Sequence, residues 1–275
     1  MIETKKLLDR IELLFPCKEN IRFRRAVLDH DFEAIRYILE ELNQFKPWSS
    51  FLHNIIKKVR DFPEIEECLH ASQIQSKHWL LQEFKNILEE PDSQYIRTVF
   101  IYGGWYGVLA GILFAYLNVD RIRNFDLNPE CYELARKINV EQTKTWAFTH
   151  ATLDVNNIEY YQSEKHNKWI TEVEYFNDKG EGSKLEEQPD IIINTSAEHM
   201  VPKWYDNLPK NILTIIQSNN YDDLDEHIFC VKDLTDMKEK YPMSKIFYEG
   251  ELDQLGQPVQ GIPKPYKRFM LIGRK

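Results

Sequence analysis

One stretch constrains the fold of this chain more than any other: a short apolar run, Arg97 to Tyr102, that ends in closely spaced glycines. Gly103, Gly104 and Gly107 follow it, and an apolar helical pattern begins directly after the last of them. This order predicts a strand, a tight turn and a helix N-terminus, where bare backbone N–H groups can meet a small polar ligand. About twenty residues later Asp126 ends a second apolar run, at the spacing of a carboxylate that binds ribose.

The chain from residue 93 to 275 alternates between strand and helix patterns, which predicts an α/β fold with a mostly parallel sheet covered on both faces. Strands are predicted at 99–102, 123–125, 146–149, 190–194 and 212–217, with a closing pair at 245–252 and 267–273 joined by the Gly- and Pro-bearing segment 256–265. The closing pair would add an antiparallel strand near the C-terminus. A polar insertion at about 157–188 alternates at period two and predicts a β-hairpin or flap.

Residues 1–92 have helical periodicity instead, and we predict an all-helical N-terminal domain there. Apolar residues repeat at three- and four-residue steps, for example at Trp79, Leu80 and Phe84. The linker Glu90–Ser93 separates this segment from the first strand. Two interpretations stay open: a helical cap that packs on the main domain, or a lid that determines substrate specificity.

Composition restricts the partners. The formal net charge of −9 argues against a surface that binds long nucleic acid through phosphate neutralisation. No run of about eighteen apolar residues predicts a membrane span. The four cysteines lie far apart and form no zinc-spaced cluster, so no metal site is predicted. Reduced thiols and the absence of a signal-like N-terminus predict a cytoplasmic protein.

The order of landmarks along residues 97–275 resembles the class I S-adenosylmethionine-dependent methyltransferases. A glycine-rich turn is followed by Asp126, by the acidic-apolar pair Asp154-Val155, and by a central strand that ends at Asn194. This resemblance implies a Rossmann-like, seven-stranded sheet with one antiparallel strand near the C-terminus. It also implies that the chain is an enzyme whose cofactor is S-adenosylmethionine.

The resemblance further implies which residues bind the cofactor. The turn would wrap the methionine and sugar of the cofactor, and Asp126 would hydrogen-bond the ribose hydroxyls. Leu127 and Val155 would pack against the adenine ring, and Asp154 would accept a hydrogen bond from its amino group. Asn194 would lie beside the sulfonium. The predicted cofactor-binding residues are Tyr102, Gly103, Gly104, Tyr106, Gly107, Asp126, Leu127, Asp154, Val155 and Asn194.

The turn departs from the family pattern at two positions. The family usually begins the turn with an acidic residue, where this chain has Ile101, and has a glycine where this chain has Trp105. The methionine end of the cofactor must therefore be held by other residues. Trp105 must point away from the ligand or stack on another side chain.

The run Asn194–Met200 leaves a buried Ile-Ile-Ile strand where a methyl group would meet its acceptor. We predict His199 as a general base, since histidine suits proton removal near neutral pH. Glu198 would orient His199 or bind a cationic substrate, and Ser196, Asn219 and Tyr221 would contact the acceptor. A structural role for Glu198 and His199 in a capped turn is the competing interpretation.

Two other histidines and one basic cluster are weaker candidates for the site. His150 is interpreted as a core histidine, and His227 as part of a solvated acidic loop. The cluster Lys264, Lys267 and Arg268 could bind a carboxylate or phosphate, although exposed lysines are usually only solvated.

The resemblance leaves three functions open. The first is methyl transfer to a small-molecule acceptor, including amino-acid-like metabolites. The second is transfer of the aminocarboxypropyl arm of the same cofactor, as in nicotianamine-synthase-like proteins, which also place helices before a Rossmann-like domain. The third is a nucleotide-binding module without turnover.

Overall fold

The computed structural model of the protein describes residues 68, 71–88, 97–163, 168–176, 182–259 and 262–275. Ten strands lie within these residues: β1 (Thr98–Tyr102), β2 (Arg121–Asp126), β3 (Phe148–Thr152), β4 (Tyr161–Ser163), β5 (Lys168–Phe176), β6 (Gly182–Glu187), β7 (Ile191–Asn194), β8 (Leu213–Asn219), β9 (Lys245–Val259) and β10 (Ile262–Arg274). The helices are α1 (Ala71–Leu88), α2 (Val108–Tyr116), α3 (Cys131–Ile138), α4 (Val140–Lys144), α5 (Lys203–Asp206) and α6 (Leu234–Lys240). No helix among these residues is both long and apolar enough to cross a membrane.

Seven strands form the main sheet in the order β3-β2-β1-β7-β8-β10-β9. β1, β2, β3, β7 and β8 run parallel, and β10 lies antiparallel to both of its neighbours. β1 and β7 are buried along their whole length, as expected for central strands covered on both faces. This is the sheet that the resemblance implied, so the predicted α/β fold class is confirmed.

The closing pair is longer than predicted. Strand pairing continues through most of the segment 256–265, where a loop was expected, and Pro263 lies opposite Pro258. β8 pairs with β10 only from Arg268 onward. The part of β10 before Arg268 therefore pairs with β9 alone, and its other edge carries no ladder of hydrogen bonds. Strands tolerate proline at such an edge, because no backbone N–H is required there.

The predicted insertion is a separate three-stranded sheet in the order β4-β5-β6. A buried ion pair joins it to the main sheet, with Arg123 Nε 2.6 Å from Glu187 Oε1. Because a removed partner would leave a buried charge, this pair fixes the insertion beside β2 and β3.

The helix α1 is the described part of the predicted N-terminal domain. Its predicted stripe packs inward, with Leu80 and Phe84 fully buried. Ser76 Oγ donates to Gln217 Oε1 at 2.7 Å, and Gln217 Nε2 donates back to the Ser76 carbonyl at 3.1 Å. Trp79 Nε1 also donates to the Tyr248 hydroxyl. α1 is therefore fastened to the sheet, whereas the other predicted helices of 1–92 and the linker lie outside the described residues.

Candidate active site

A cavity of about 630 Å³ lies at the carboxyl ends of the central strands. The segments that follow β1, β2, β3, β7 and β8 line it, together with part of α1 and of β10. Ligands of α/β proteins bind at this edge of the sheet, and the volume is in the range of small-molecule sites.

The glycine turn after β1 depends on backbone conformations that side chains disfavour. Gly103 and Gly107 have φ angles of 61° and 71°, and Trp105, at φ 46°, shares this left-handed region. A Cβ on Gly104 would collide with the side-chain amide of Asn124 on the neighbouring β2. The turn therefore presents bare backbone at Gly103 and Gly104 for a close approach to the cavity.

Asp126, at the end of β2, holds this turn in place. Its Oδ2 accepts a hydrogen bond from the Trp105 backbone N–H at 2.8 Å, and its Oδ1 accepts one from Asn128 N–H at 3.0 Å. The Trp105 ring stacks on Tyr106, with centroids 4.9 Å apart. The carboxylate lines the cavity and retains lone pairs on both oxygens for a ligand.

Asn124 and His150 support the turn from below. Asn124 Nδ2 donates to the Trp105 carbonyl at 3.2 Å and lies 2.9 Å from His150 Nδ1. Burial, with Arg136 nearby, lowers the pKa of His150 to about 4. His150 is therefore a neutral core histidine at neutral pH, as its position along the sequence suggested.

Asp154 follows β3 on the same edge of the sheet. Its Oδ1 accepts from both the backbone N–H and the side-chain amide of Asn156, each at 2.9 Å. Val155 beside it is buried, and Leu127 exposes 69% of its surface although it lines the cavity. We call the following residues the glycine-turn side of the cavity: Gly103, Gly104, Tyr106, Asp126, Leu127, Asp154 and Val155.

Three predicted cofactor-binding residues do not line the cavity. Tyr102 is fully buried with its hydroxyl bonded to Tyr160, and Gly107 packs near Asn139. Asn194 is also buried, and its Oδ1 accepts from the Ser196 backbone N–H. The structure places these three beneath the site, because their positions within the strand and the turn point them into the core.

The opposite wall carries most of the ionisable groups. We call the following residues the charged side: Lys77, Glu198, His199, His227 and Arg268. Glu198 is only 1% exposed, and its Oε1 accepts from Asn219 Nδ2 at 2.6 Å and from Arg268 Nη2 at 3.3 Å. Glu198 Oε2 is buried and has no hydrogen-bond partner among the described residues.

The structure brings His227 against His199, which the sequence interpretation had not anticipated. The two ring centroids are 4.6 Å apart and nearly perpendicular. One possible ligating atom from each of Glu198, His199 and His227 lies within 4.8 Å of the other two. His227 therefore lines the cavity and does not belong to a solvated loop, and Ser196, Asn219 and Tyr221 line the same cavity.

Two cations reach the cavity from distant parts of the chain. Burial lowers the pKa of Lys77 to about 8, and Arg268 contributes to that shift. The predicted basic patch divides: Arg268 is buried in the site, whereas Lys264 and Lys267 pair with the acidic residues Asp223 and Glu251 at the surface. Lys77 had no signal beyond helical spacing.

Comparison with known proteins gives remote likenesses only. No family model matches the sequence, and no curated protein matches it. The N-methyltransferase NodS from Bradyrhizobium japonicum WM9 is 12% identical, with a TM-score of 0.43, over 72% of this chain and 96% of that chain. The structure of NodS with S-adenosyl-L-homocysteine is 13% identical, with a TM-score of 0.43, over 74% of this chain and 88% of that chain. The YcgJ protein from Bacillus subtilis is 12% identical, with a TM-score of 0.44, over 73% of this chain and 99% of that chain.

Proposed function

We propose that this chain is an S-adenosylmethionine-dependent methyltransferase that acts in the cytoplasm on a small molecule. The observation that carries the proposal is the placement of Asp126. This carboxylate lines the cavity and is fastened to the glycine turn through Trp105 N–H, while Asp154 lies after the next strand on the same edge. Two oxygens on one rigid carboxylate match the vicinal hydroxyls of a ribose.

The remaining glycine-turn side suits the rest of that cofactor. Leu127 offers an exposed apolar surface for a purine ring, and one oxygen of Asp154 stays available for its amino group. Gly103 and Gly104 allow the sugar and methionine portions to approach the backbone. Ile101 is fully buried in β1, so the methionine end must be bound by other residues of the cavity.

The charged side supports an acceptor that carries both charges, such as an amino-acid-like metabolite. Lys77 and Arg268 can bind a carboxylate, and Glu198 can bind a cationic group. Asn219 orients Glu198 through its side-chain amide. The net charge of −9 gives no general attraction for long nucleic acid.

Catalysis by this geometry consists of alignment and of proton removal from the acceptor. The cofactor, when bound, supplies a methyl group on a sulfonium sulfur, and in-line displacement requires the acceptor atom behind that methyl. His199 lines the cavity beside His227, and from there it would accept the proton that the acceptor loses.

The test is a transfer screen with S-adenosylmethionine labelled on its methyl group, using a metabolite extract and identifying the labelled product by mass. We expect S-adenosylhomocysteine as the coproduct. Methylthioadenosine would instead establish aminocarboxypropyl transfer, the alternative that the atypical position Ile101 favours. If calorimetry detects no binding of S-adenosylmethionine, both enzyme proposals fail, and a binding module for another nucleotide remains.

His199→Ala provides the residue-level test. We expect it to bind S-adenosylmethionine with unchanged affinity and to lower turnover by about a hundredfold or more, the usual contribution of proton transfer by a positioned group. Full activity of the variant would remove His199 from the reaction.

A further inference from the structure

We propose that Glu198, His199 and His227 bind a divalent transition-metal ion, of the class that includes Zn²⁺, Mn²⁺, Fe²⁺ and Co²⁺. The site lies within the charged side of the cavity. One ligating atom from each residue lies within 4.8 Å of the others, close enough for small side-chain rotations to converge on one ion. Two imidazoles with one carboxylate form a ligand set that these metals accept, with coordination positions left open.

Glu198 supplies the first independent observation. Both of its hydrogen-bond partners, Asn219 and Arg268, use Oε1. Oε2 is buried without a partner in the described part of the chain, although a buried carboxylate oxygen without a partner is costly. An ion at this position would satisfy Oε2, and the two donors on Oε1 would fix the direction of the carboxylate.

His227 supplies the second observation. Its Nδ1 contacts the backbone carbonyl of Tyr221, so Nδ1 carries the hydrogen in the neutral ring and donates it. This tautomer leaves the lone pair on Nε2. Metal-binding histidines in proteins are commonly held in this way, with the second ring nitrogen donating to a carbonyl or carboxylate.

The surrounding charges are compatible with a bound ion. Two cations line the same cavity, Arg268 and Lys77; Arg268 already pairs with Oε1 of Glu198, and burial lowers the pKa of Lys77 to about 8. Glu226 also lines the cavity and adds negative charge near the ligands. A dication bound by one carboxylate would leave a net positive site that attracts an anionic acceptor.

The role of the ion rests on the proposed function. An acceptor hydroxyl whose oxygen is held at an open coordination position would lose its proton to solvent more readily, because the metal lowers its pKa. Its lone pair would then form a bond to the methyl carbon while the carbon–sulfur bond breaks, with both electrons going to sulfur. The products are the methylated acceptor, S-adenosylhomocysteine and one proton. With the ion bound, His199 would be a metal ligand and the proton would pass to solvent; the general-base role given to His199 under the proposed function would apply to the metal-free protein.

Metal binding is tested without cofactor or acceptor, so that its failure is distinct from failure of the proposed function. Chelator-treated protein is titrated with Co²⁺, followed by visible absorption and calorimetry, and then with Zn²⁺ in competition. We expect one Co²⁺ per chain at this site, with bands typical of nitrogen and oxygen ligands. His227→Gln and Glu198→Gln should each weaken binding by about a hundredfold or more, at or beyond the upper end of the roughly 10–100-fold range of changes to residues that only support a ligand.

His78→Gln is the matched control, since His78 lies on α1 and does not line the cavity. It should bind Co²⁺ as the wild type does. The proposal is overturned if the wild type binds no Co²⁺, or if both cavity variants bind it with wild-type affinity. S-adenosylmethionine binding to the metal-free protein is measured in parallel: intact cofactor binding without Co²⁺ binding would refute only the metal site.

Discussion

The glycine-turn side of the cavity is built from the ends of three adjacent strands, β1, β2 and β3, whereas the charged side gathers residues from α1, β10 and the segments after β7 and β8. The first is mostly backbone and carboxylate, fixed by Asp126. The second consists of long ionisable side chains fixed by one another, with Glu198 at the centre. The proposed cofactor site is therefore built from neighbouring strand ends, whereas the proposed acceptor site needs residues from distant parts of the fold.

The largest effect is expected for Asp126→Asn, which removes the charge that two backbone N–H groups and, in the proposed function, the ribose hydroxyls share. Hydrogen bonds to charged groups contribute about 1.5–3 kcal/mol each, so S-adenosylmethionine should bind about a hundredfold more weakly by calorimetry.

Asp190→Asn is the control for this change. Asp190 Oδ2 also accepts from two backbone N–H groups, those of Arg97 and Thr98, but at the opposite end of β1. We expect a loss of stability without a change in cofactor affinity. Equal weakening in both variants would mean that Asp126 acts through the fold and not through the ligand.

Gly104→Ala tests how strongly the glycine-turn side depends on bare backbone. The new Cβ meets the Asn124 amide, so the free energy of unfolding in urea should fall by about 1–3 kcal/mol. Adding Asn124→Ala vacates that space, and the double variant should lose less than the sum of the single changes. Simple additivity of the two losses would contradict the steric cause.

Lys77→Met tests the charged side alone. Loss of one cation should raise the KM for an anionic acceptor about tenfold, the equivalent of one charge-assisted hydrogen bond, and leave S-adenosylmethionine affinity unchanged. Lys85→Met, on the exposed face of the same helix, is the control and should change neither value.

The same variant has a pH signature in stability. Since the folded pKa of Lys77 is lowered from 10.5 to about 8, the unfolded chain binds more protons between these values. The wild type should therefore gain stability relative to Lys77→Met as the pH rises from about 8 to about 10.5. A constant difference across that window in denaturation measurements would show that the Lys77 pKa is not shifted.

The smallest effect is expected for Leu127→Ala. Truncating this exposed side chain should remove roughly 1 kcal/mol of binding free energy from apolar contact with a purine, which lowers cofactor affinity about fivefold. The free energy of unfolding should stay unchanged. Leu185→Ala, on an exposed strand of the insertion, should leave cofactor affinity as it is. A similar loss in both variants would exclude Leu127 as a ligand contact.

The sequence predicted the glycine-turn side better than the charged side. Strand ends of a parallel sheet meet at one edge, so Gly103, Asp126 and Asp154 could be grouped from their order along the chain. No such rule relates Lys77 to Arg268, because their proximity depends on how α1 packs on the sheet. His227 was misread for a similar reason, since only the path of the loop after β8 brings it to His199.

The reciprocal hydrogen bonds between Ser76 on α1 and Gln217 on β8 have a consequence for how this protein could diversify. These bonds anchor α1 through Ser76. The next residue, Lys77, lines the cavity together with Gln73. New chemistry at these cavity-facing positions could be explored in a directed-evolution library without altering the anchor. Substitutions on this one helix would then change acceptor specificity while the sheet stays unaltered.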